Sequence, residues 1–359
     1  MTADSIHRES KSNCTFPQPL CDIVQKNCDI SDARYAGDYS LCTYLLKMRE
    51  YYRWEQGVTF GTKLSHEVVG EWVEKRERKW NQLETTPYSP LHVTGHRFDP
   101  FDNDGINREL LPRGLVYSGG YGRFCKPHFF LGRLLRIERF RNYTVLVSAD
   151  EYARDLTAPP AMTRDNTIFV RCESLRRMVW EKVEDWQWKK ANRAMTSAMA
   201  YYNIEHDLDE AIEKITENEL ETVILHELGE ILAGDLLGDG WNQMLAAVGR
   251  TPAEMVIRAV RDQLSDYLST LPALFELENL PSIHFYFANL TGMRKELCPT
   301  LVRDYQRWVD TGNLAGLKKS VPIGKQHWLA VAQSALRSYD EHGDQCVPHI
   351  EPLMESGRL

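Results

Sequence analysis

The hydrophobic pattern of this chain changes its period twice, and this change is the strongest constraint on its fold. In residues 15–86, apolar side chains such as Leu41, Leu45 and Met48 recur at helical spacing. Residues 87–171 instead hold clusters of Gly, Pro, Asp and Asn between short β-rich runs such as NYTVLVSA. Helical spacing then returns. The pattern predicts a predominantly helical α+β protein with a small, mostly antiparallel sheet in its middle.

The same pattern divides the chain into four predicted regions. They are a helical N-terminal region (1–86), a β-rich region (87–172), a helical domain (173–345) and a tail (346–359). A chain of 359 residues is long enough for two domains or for one large domain with an insertion, because single cores rarely grow beyond about 250 to 300 residues.

Composition and charge argue against several classes of protein. The net charge of −8 is opposite to that of a general nucleic-acid binder, which presents a basic face to the phosphates. No run of about 18 apolar residues is present, and the start, MTADSIHRESKSN, lacks the apolar core of a signal peptide. We therefore expect a cytoplasmic protein with no nucleic-acid or membrane partner, in which the 8 cysteines stay reduced.

One predicted helix, residues 207–247, carries charged side chains within an apolar stretch. Its start is marked by DLDE, an aspartate N-cap followed by a glutamate three residues on. At about 100° per residue, Glu219, His226 and Glu230 fall on the apolar face that should be buried. A second long helix is predicted to start at TPAE and to end at Pro272.

Buried carboxylates must be paired, protonated or bound to a metal, because an unpaired one is strongly unfavourable. His226 and Glu230 are four residues apart and can bind one divalent cation together. Glu227 is placed to act as a general base, and Glu219 or His284, from another apolar run, would complete the shell or orient a ligand. In the alternative, arginines of neighbouring helices neutralise a purely structural polar cluster. The sequence leaves both possibilities open.

The run VILHELGEILAG resembles the active-site helix of zinc metallopeptidases, in which His-Glu-x-x-His lies between apolar residues. This resemblance implies that His226 is the first zinc ligand and Glu227 the general base. Glu230 stands where the second histidine of that pattern would be. As a whole, the chain is similar to a bacterial family without assigned activity, in runs such as LLPRGLVYSGGYGRFCKPHFFLGR, HELGE and IHFYFANLTGMRKEL.

A second metal chemistry competes with zinc. Glu219 and His226 reproduce the Glu-x6-His spacing of helical non-haem diiron proteins, which this part of the chain resembles. Such a site needs carboxylates or histidines from other helices, and the predicted helix that begins at Ser174 turns Glu181 and Glu184 away from its core face.

We therefore expect a metal-dependent enzyme with zinc or iron as its cofactor. Hydrolysis of a small-molecule or peptide substrate ranks ahead of oxidation by a (di)iron centre. The hypothesis from another class is a non-catalytic scaffold or regulatory protein whose polar stripe is structural. A homo-oligomer is compatible with the sequence.

Overall fold

The computed structural model describes residues 18–122, 125–189, 191–290 and 292–359, and its N-terminal part is helical. The first three helices are α1 (Gln18–Tyr35), α2 (Leu41–Gln56) and α3 (His66–Asn81). Ser40 caps α2, because its side chain accepts a hydrogen bond from the Thr43 backbone. Gly57 ends α2 in the left-handed conformation that suits glycine.

The middle of the chain forms two sheets. A short hairpin pairs β1 (Leu91–Val93) with β2 (His96–Phe98). The larger sheet has five strands in the order β3-β4-β5-β7-β6. These strands are β3 (Leu115–Tyr121), β4 (Pro127–Arg139), β5 (Thr144–Arg154), β6 (Ala161–Arg164) and β7 (Thr167–Arg171). Among the described strands, all neighbouring pairs are antiparallel except β5 and β7, which are parallel.

One helix interrupts the β-rich region, at a run of Asp, Asn and Gly residues that is typical of turns. Helix α4 (Asn103–Leu110) lies between the hairpin and the larger sheet in chain order. Asp102 caps it, because the Asp102 carboxylate accepts a hydrogen bond of 2.9 Å from the Gly105 backbone. The acidic run before Gly105 therefore starts a helix.

The C-terminal half of the chain is helical. Its helices are α5 (Cys172–Lys189), α6 (Arg193–Met199), α7 (Leu208–Leu237), α8 (Asp239–Ala247), α9 (Pro252–Ser265), α10 (Leu271–Glu276), α11 (Leu280–Asn289), α12 (Gly292–Leu297), α13 (Pro299–Thr311), α14 (Ala315–His342), α15 (Val347–Ile350) and α16 (Leu353–Ser356). Although α7 and α14 are long, none of the described helices contains an apolar stretch that would cross a lipid bilayer. The predominantly helical α+β fold with a β-containing middle is confirmed.

Two predicted helix boundaries differ from those of the structure. The helix expected over 207–247 is broken at Gly238, whose φ of 68° is a backbone conformation that residues with a Cβ rarely adopt. Pro272 does not end the second helix. A π-helical turn, Asp266–Thr270, leads from α9 directly into α10. Pro272 lies in the first turn of α10, and the π-helical turn before it accommodates the missing N–H.

Helix α7 lies between the larger sheet and the other C-terminal helices. Ile224 and Ile231 pack in a core with Val145 and Val170 of the sheet. Farther along α7, Ala233 belongs to the main apolar core of the C-terminal helices. The polar side chains in the middle of α7 are therefore held between these two cores.

Candidate metal centre

Helix α7 approaches the end of α9 very closely at one glycine. A Cβ on Gly229 would lie 2.2 Å from the carbonyl oxygen of Ser265, so only glycine fits this contact. Because His226 and Glu230 flank this position on α7, the close approach brings both side chains to α9 and to the π-helical turn that follows it.

His226 is held by a buried aspartate of the π-helical turn. The His226 Nδ1 atom lies 2.7 Å from an Asp266 carboxylate oxygen, and Asp266 is 1% exposed. The other Asp266 oxygen accepts a hydrogen bond of 2.8 Å from the Tyr286 hydroxyl and a further one from Arg294. This arrangement fixes the imidazole ring and leaves Nε2 facing Glu230, whose nearer oxygen is 3.8 Å away.

Asp262, one turn before Asp266 on α9, completes a group of three potential ligands. One donor atom each from His226, Glu230 and Asp262 can be chosen so that all lie within 4.8 Å of one another. All three residues are partly buried. Within the described residues, no other group of at least three His, Cys, Asp or Glu side chains meets this spacing. One nitrogen and two carboxylates form a donor set that suits divalent zinc, manganese or iron.

Arginines also contact this group, and such contacts are a feature of the alternative in which the polar cluster is purely structural. Arg261 forms an ion pair with Glu230, and Arg294 forms one with Asp266. Asp262 forms no ion pair with any described residue within 4.0 Å. Burial raises the pKa of Asp262, although Arg294 and His226 partly offset this effect. A carboxyl group in such surroundings gains from a nearby cation.

The protonation of His226 depends mainly on Asp266. Burial disfavours the imidazolium ion, but the Asp266 carboxylate outweighs burial and raises the pKa of His226 to about 9. At neutral pH, without a metal, the ring is therefore protonated and donates to Asp266. A metal ion would compete with the proton at Nε2, while the hydrogen bond from Nδ1 to Asp266 is kept.

A cavity of about 400 Å³ opens on the three candidate ligands. Its polar wall consists of the three ligands and three guanidinium groups: His226, Glu230, Asp262, Arg258, Arg261 and Arg294. Its apolar wall includes Trp241, Leu245, Met255 and Met293. This volume lies within the usual range for sites that bind small molecules.

Glu219 and Glu227 line a second cavity of about 300 Å³, which shares His226 and Arg294 with the first. Glu219 is 2% exposed and accepts a hydrogen bond of 2.7 Å from Ser282. Burial raises the pKa of Glu219 to about 7, against the hydrogen bonds from Ser282 and Thr222. The structure thus separates Glu219 from the three candidate ligands, although it lies on the same face of α7.

Glu227 faces the second cavity and not the first. Its side chain accepts a hydrogen bond of 2.6 Å from Thr163 of β6. Burial, together with the charge of Glu230, raises the pKa of Glu227 to about 7. Glu227 can exchange a proton near neutral pH, but it does not line the cavity that contains all three candidate ligands.

His284 lines neither of these cavities. It is buried, its Nδ1 atom lies 2.9 Å from the Tyr305 hydroxyl, and its ring stacks on Trp308 with centroids 4.6 Å apart. Burial lowers the pKa of His284, which favours the neutral ring. The structure therefore places His284 in an aromatic cluster and not beside His226.

Asp262 and Asp266 are the site residues that the sequence reasoning missed. They lie four residues apart, as His226 and Glu230 do, so both pairs have the i, i+4 spacing that places side chains on one face of a helix. A search for acidic pairs at this spacing in the apolar helix after TPAE would have found them. Such a search would not have shown that the two pairs meet.

Comparison with known proteins assigns a family but names no chemistry. The model of the N-terminal domain of a family of unknown function, DUF6866, matches residues 19–171, and the model of its C-terminal domain matches residues 176–357. No curated protein and no solved structure matches the chain. All residues of the candidate metal centre fall in the segment that the C-terminal model covers.

Proposed function

The chain belongs to the DUF6866 family, and we propose that it is a metal-dependent hydrolase whose single divalent cation is held by His226, Glu230 and Asp262. One observation carries this proposal: three ligand atoms of suitable type, from two helices, lie within 4.8 Å of one another on the wall of a cavity. Zinc and iron(II) are the cations that we favour.

The arrangement behind the ligands supports a metal role. Asp266 accepts the Nδ1–H of His226, and a carboxylate in this position fixes the tautomer that presents Nε2 to a metal. The carboxylate is itself fixed by Tyr286 and Arg294. This chain of contacts restricts the orientation of one candidate ligand, and a metal site needs ligands held in this way.

The charges of the group also allow a divalent cation. Glu230, Asp262 and Asp266 supply three negative charges against the two guanidinium groups of Arg261 and Arg294, when His226 is neutral. The group then carries one net negative charge, and a divalent cation changes this to one net positive charge. A proton on His226 gives a neutral group, so proton and metal are alternatives at this site.

In the proposed chemistry, a bound divalent cation would lower the pKa of a water molecule and polarise the bond to be cleaved. His226, Glu230 and Asp262 would hold the cation, and Asp266 keeps the His226 ring in place. Glu227 lines the other cavity, so we do not assign it the abstraction of a proton from that water. This differs from the role that the metallopeptidase resemblance implies for it.

A single cation is favoured over the (di)iron alternative. Glu219, which the Glu-x6-His spacing would make a ligand, bonds to Ser282 in the second cavity. Glu184, which an iron site could also have used, bonds to Arg49. The described carboxylates therefore supply one group of metal ligands and not two.

A non-catalytic structural cluster is the second candidate, and the raised pKa of His226 favours it. In that case the protonated ring, Arg261 and Arg294 neutralise the three carboxylates without a metal. This cluster would tie α7 to α9 and α12, and the cavity would have no reactive centre.

An assay of metal-dependent hydrolysis distinguishes the hydrolase from the structural cluster. The full chain is treated with a chelator, reloaded with Zn²⁺ or Fe²⁺, and assayed on nitrophenyl phosphate, nitrophenyl acetate and peptide anilides. We expect hydrolysis of one class to return only after reloading. We also expect the Asp262→Asn variant to lose it and the Asp235→Asn variant, altered at an exposed position of α7, to keep it. Hydrolysis that survives the chelator, or an active Asp262→Asn variant, would contradict the proposal.

A further inference from the structure

The cavity that contains the candidate ligands has three arginines on its wall. Arg258 and Arg261 extend from α9, and Arg294 extends from α12. The side chains of all three are between a quarter and a third exposed, so they are neither buried in the core nor free on the surface. They surround the place where the proposed function puts the cation.

Each of these guanidinium groups is paired with a carboxylate through one nitrogen. Arg258 uses Nε for a hydrogen bond of 2.8 Å to Glu254, Arg261 uses Nη2 for Glu230, and Arg294 uses Nη2 for Asp266. A guanidinium group has five N–H donors. Among the residues that the structure describes, none accepts a hydrogen bond from Nη1 of Arg261 or Arg294, whereas their Nε atoms are buried. The Nη1 donors are therefore left for a ligand.

With a divalent cation bound, the charge around the cavity favours an anion. The three guanidinium groups face four carboxylates, those of Glu230, Asp262, Glu254 and Asp266. A divalent cation changes this sum from one net negative to one net positive charge when His226 is neutral. Fixed cationic groups in a cavity with apolar walls attract an anion more strongly than they would in open water. A cationic ligand would be repelled.

Among anions, the number of donors favours a phosphoryl group over a carboxylate. A carboxylate has two oxygens, which one guanidinium group satisfies. A phosphoryl group offers three terminal oxygens and up to two charges, and it can contact several guanidinium groups and a metal together. The apolar side of the cavity, with Trp241, Met255 and Met293, suits an organic group attached to the phosphate.

We propose that the substrate is a phosphate ester with an apolar organic group, bound by Arg258, Arg261 and Arg294 beside the cation; this inference rests on the proposed hydrolase function. In the reaction, water adds to phosphorus, and the P–O bond to the organic group breaks. The organic group leaves as an alcohol after it takes one proton from the water, and inorganic phosphate remains. No oxidant or further co-reactant is needed.

The test uses phenylphosphonate, whose P–C bond is not hydrolysed, and benzoate, its carboxylate counterpart. Calorimetric titrations of the full chain are made with Zn²⁺ bound and after chelation. We expect phenylphosphonate to bind the Zn²⁺-loaded protein more tightly than benzoate does. We expect the Arg258→Gln variant to bind phenylphosphonate about ten-fold more weakly than wild type does, because hydrogen bonds between charged groups are lost. Its affinity for Zn²⁺ should not fall, because the change removes a positive charge near the cation and none of the three ligands.

Two further variants make the result specific. Arg258→Lys keeps the charge and the pair with Glu254 but loses the planar set of donors, so it should weaken binding even if Arg258→Gln folds poorly. Arg307→Gln removes an exposed arginine of α13 that pairs with Asp304 and should leave binding unchanged. Circular dichroism checks that each variant is folded.

The outcomes separate this inference from the proposed function. Binding of Zn²⁺ without binding of phenylphosphonate, or an Arg258→Lys variant with wild-type affinity, would overturn the phosphate-ester inference and leave the metal site standing. Benzoate that binds as tightly as phenylphosphonate would also overturn it. Binding of phenylphosphonate that depends on Arg258, in a protein that binds no metal, would support the anion site and refute the proposed hydrolase.

Discussion

The buried carboxyl group of Glu219 should make the stability of the protein fall as the pH rises. Glu219 is 2% exposed, and its contacts with Ser282 and Thr222 do not offset the effect of burial, which raises the pKa from 4.5 to about 7. The folded state therefore binds this proton more tightly than the unfolded state. The stabilisation is complete below about pH 4.5 and is lost as the pH rises to about 7.

The size of the effect follows from the pKa. One pH unit corresponds to about 1.4 kcal/mol, so a rise in pKa from 4.5 to about 7 amounts to about 3 kcal/mol. Replacement by Gln removes the titration and keeps a side-chain oxygen for the hydrogen bond from Ser282. Relative to wild type, the Glu219→Gln variant should gain about 2 to 3 kcal/mol in free energy of unfolding between pH 5 and pH 8.5.

Urea denaturation at a series of pH values measures this gain. Glu217→Gln is the matched control, since Glu217 lies on the same helix and is exposed, and its curve should stay parallel to that of wild type. The reasoning would be refuted if the Glu219→Gln curve also stayed parallel to wild type over the whole range. A constant offset would show an effect on packing and not on ionisation.

Two further predictions concern packing and buried charge. Gly229→Ala should destabilise the protein by about 1 to 3 kcal/mol, because the added Cβ meets the Ser265 carbonyl. Gly234→Ala is the control on the same helix: its Cβ would have nothing within 4 Å, so the change should be neutral or stabilising by up to about 1 kcal/mol. Equal midpoints of the two variants in thermal denaturation would contradict this prediction. Glu151→Gln should lower the free energy of unfolding by about 3 to 5 kcal/mol, because it leaves the fully buried Arg171 without its counter-charge. A decrease of less than about 1 kcal/mol in urea denaturation would be evidence against a charged pair.

Sequence period was sufficient to predict the order of helical and β-rich regions, because the two kinds of element place apolar residues at different spacings. It was not sufficient for helix boundaries. Gly238 and Pro272 each follow a leucine in the sequence, and the consequence of each depends on its tertiary environment. Gly238 breaks the predicted helix, whereas Pro272 is accommodated by the π-helical turn before it.

The candidate site shows the same limit. The proximity of His226 and Glu230 could be predicted, because both lie one turn apart on one helix. Glu219 shares their face but lies seven residues from His226, which is about 10 Å along a helix, and its carboxyl group bonds to Ser282 and does not join the three ligands. Asp262 and Asp266 come from α9 and the π-helical turn that follows it. The spacing of residues within one sequence does not indicate which helices pack together.

His226, Glu230 and Asp262 should together hold one divalent cation, and a metal titration measures whether they do. The chelator-treated full chain is titrated with Zn²⁺ by calorimetry at pH 7.5 and pH 6.0, next to the Asp262→Asn variant. We expect one site per chain, weaker binding at pH 6.0 because the proton competes for His226, and a loss of affinity in the variant. A wild-type protein that binds no Zn²⁺ or Fe²⁺, or a variant that binds as tightly as wild type, would contradict this expectation.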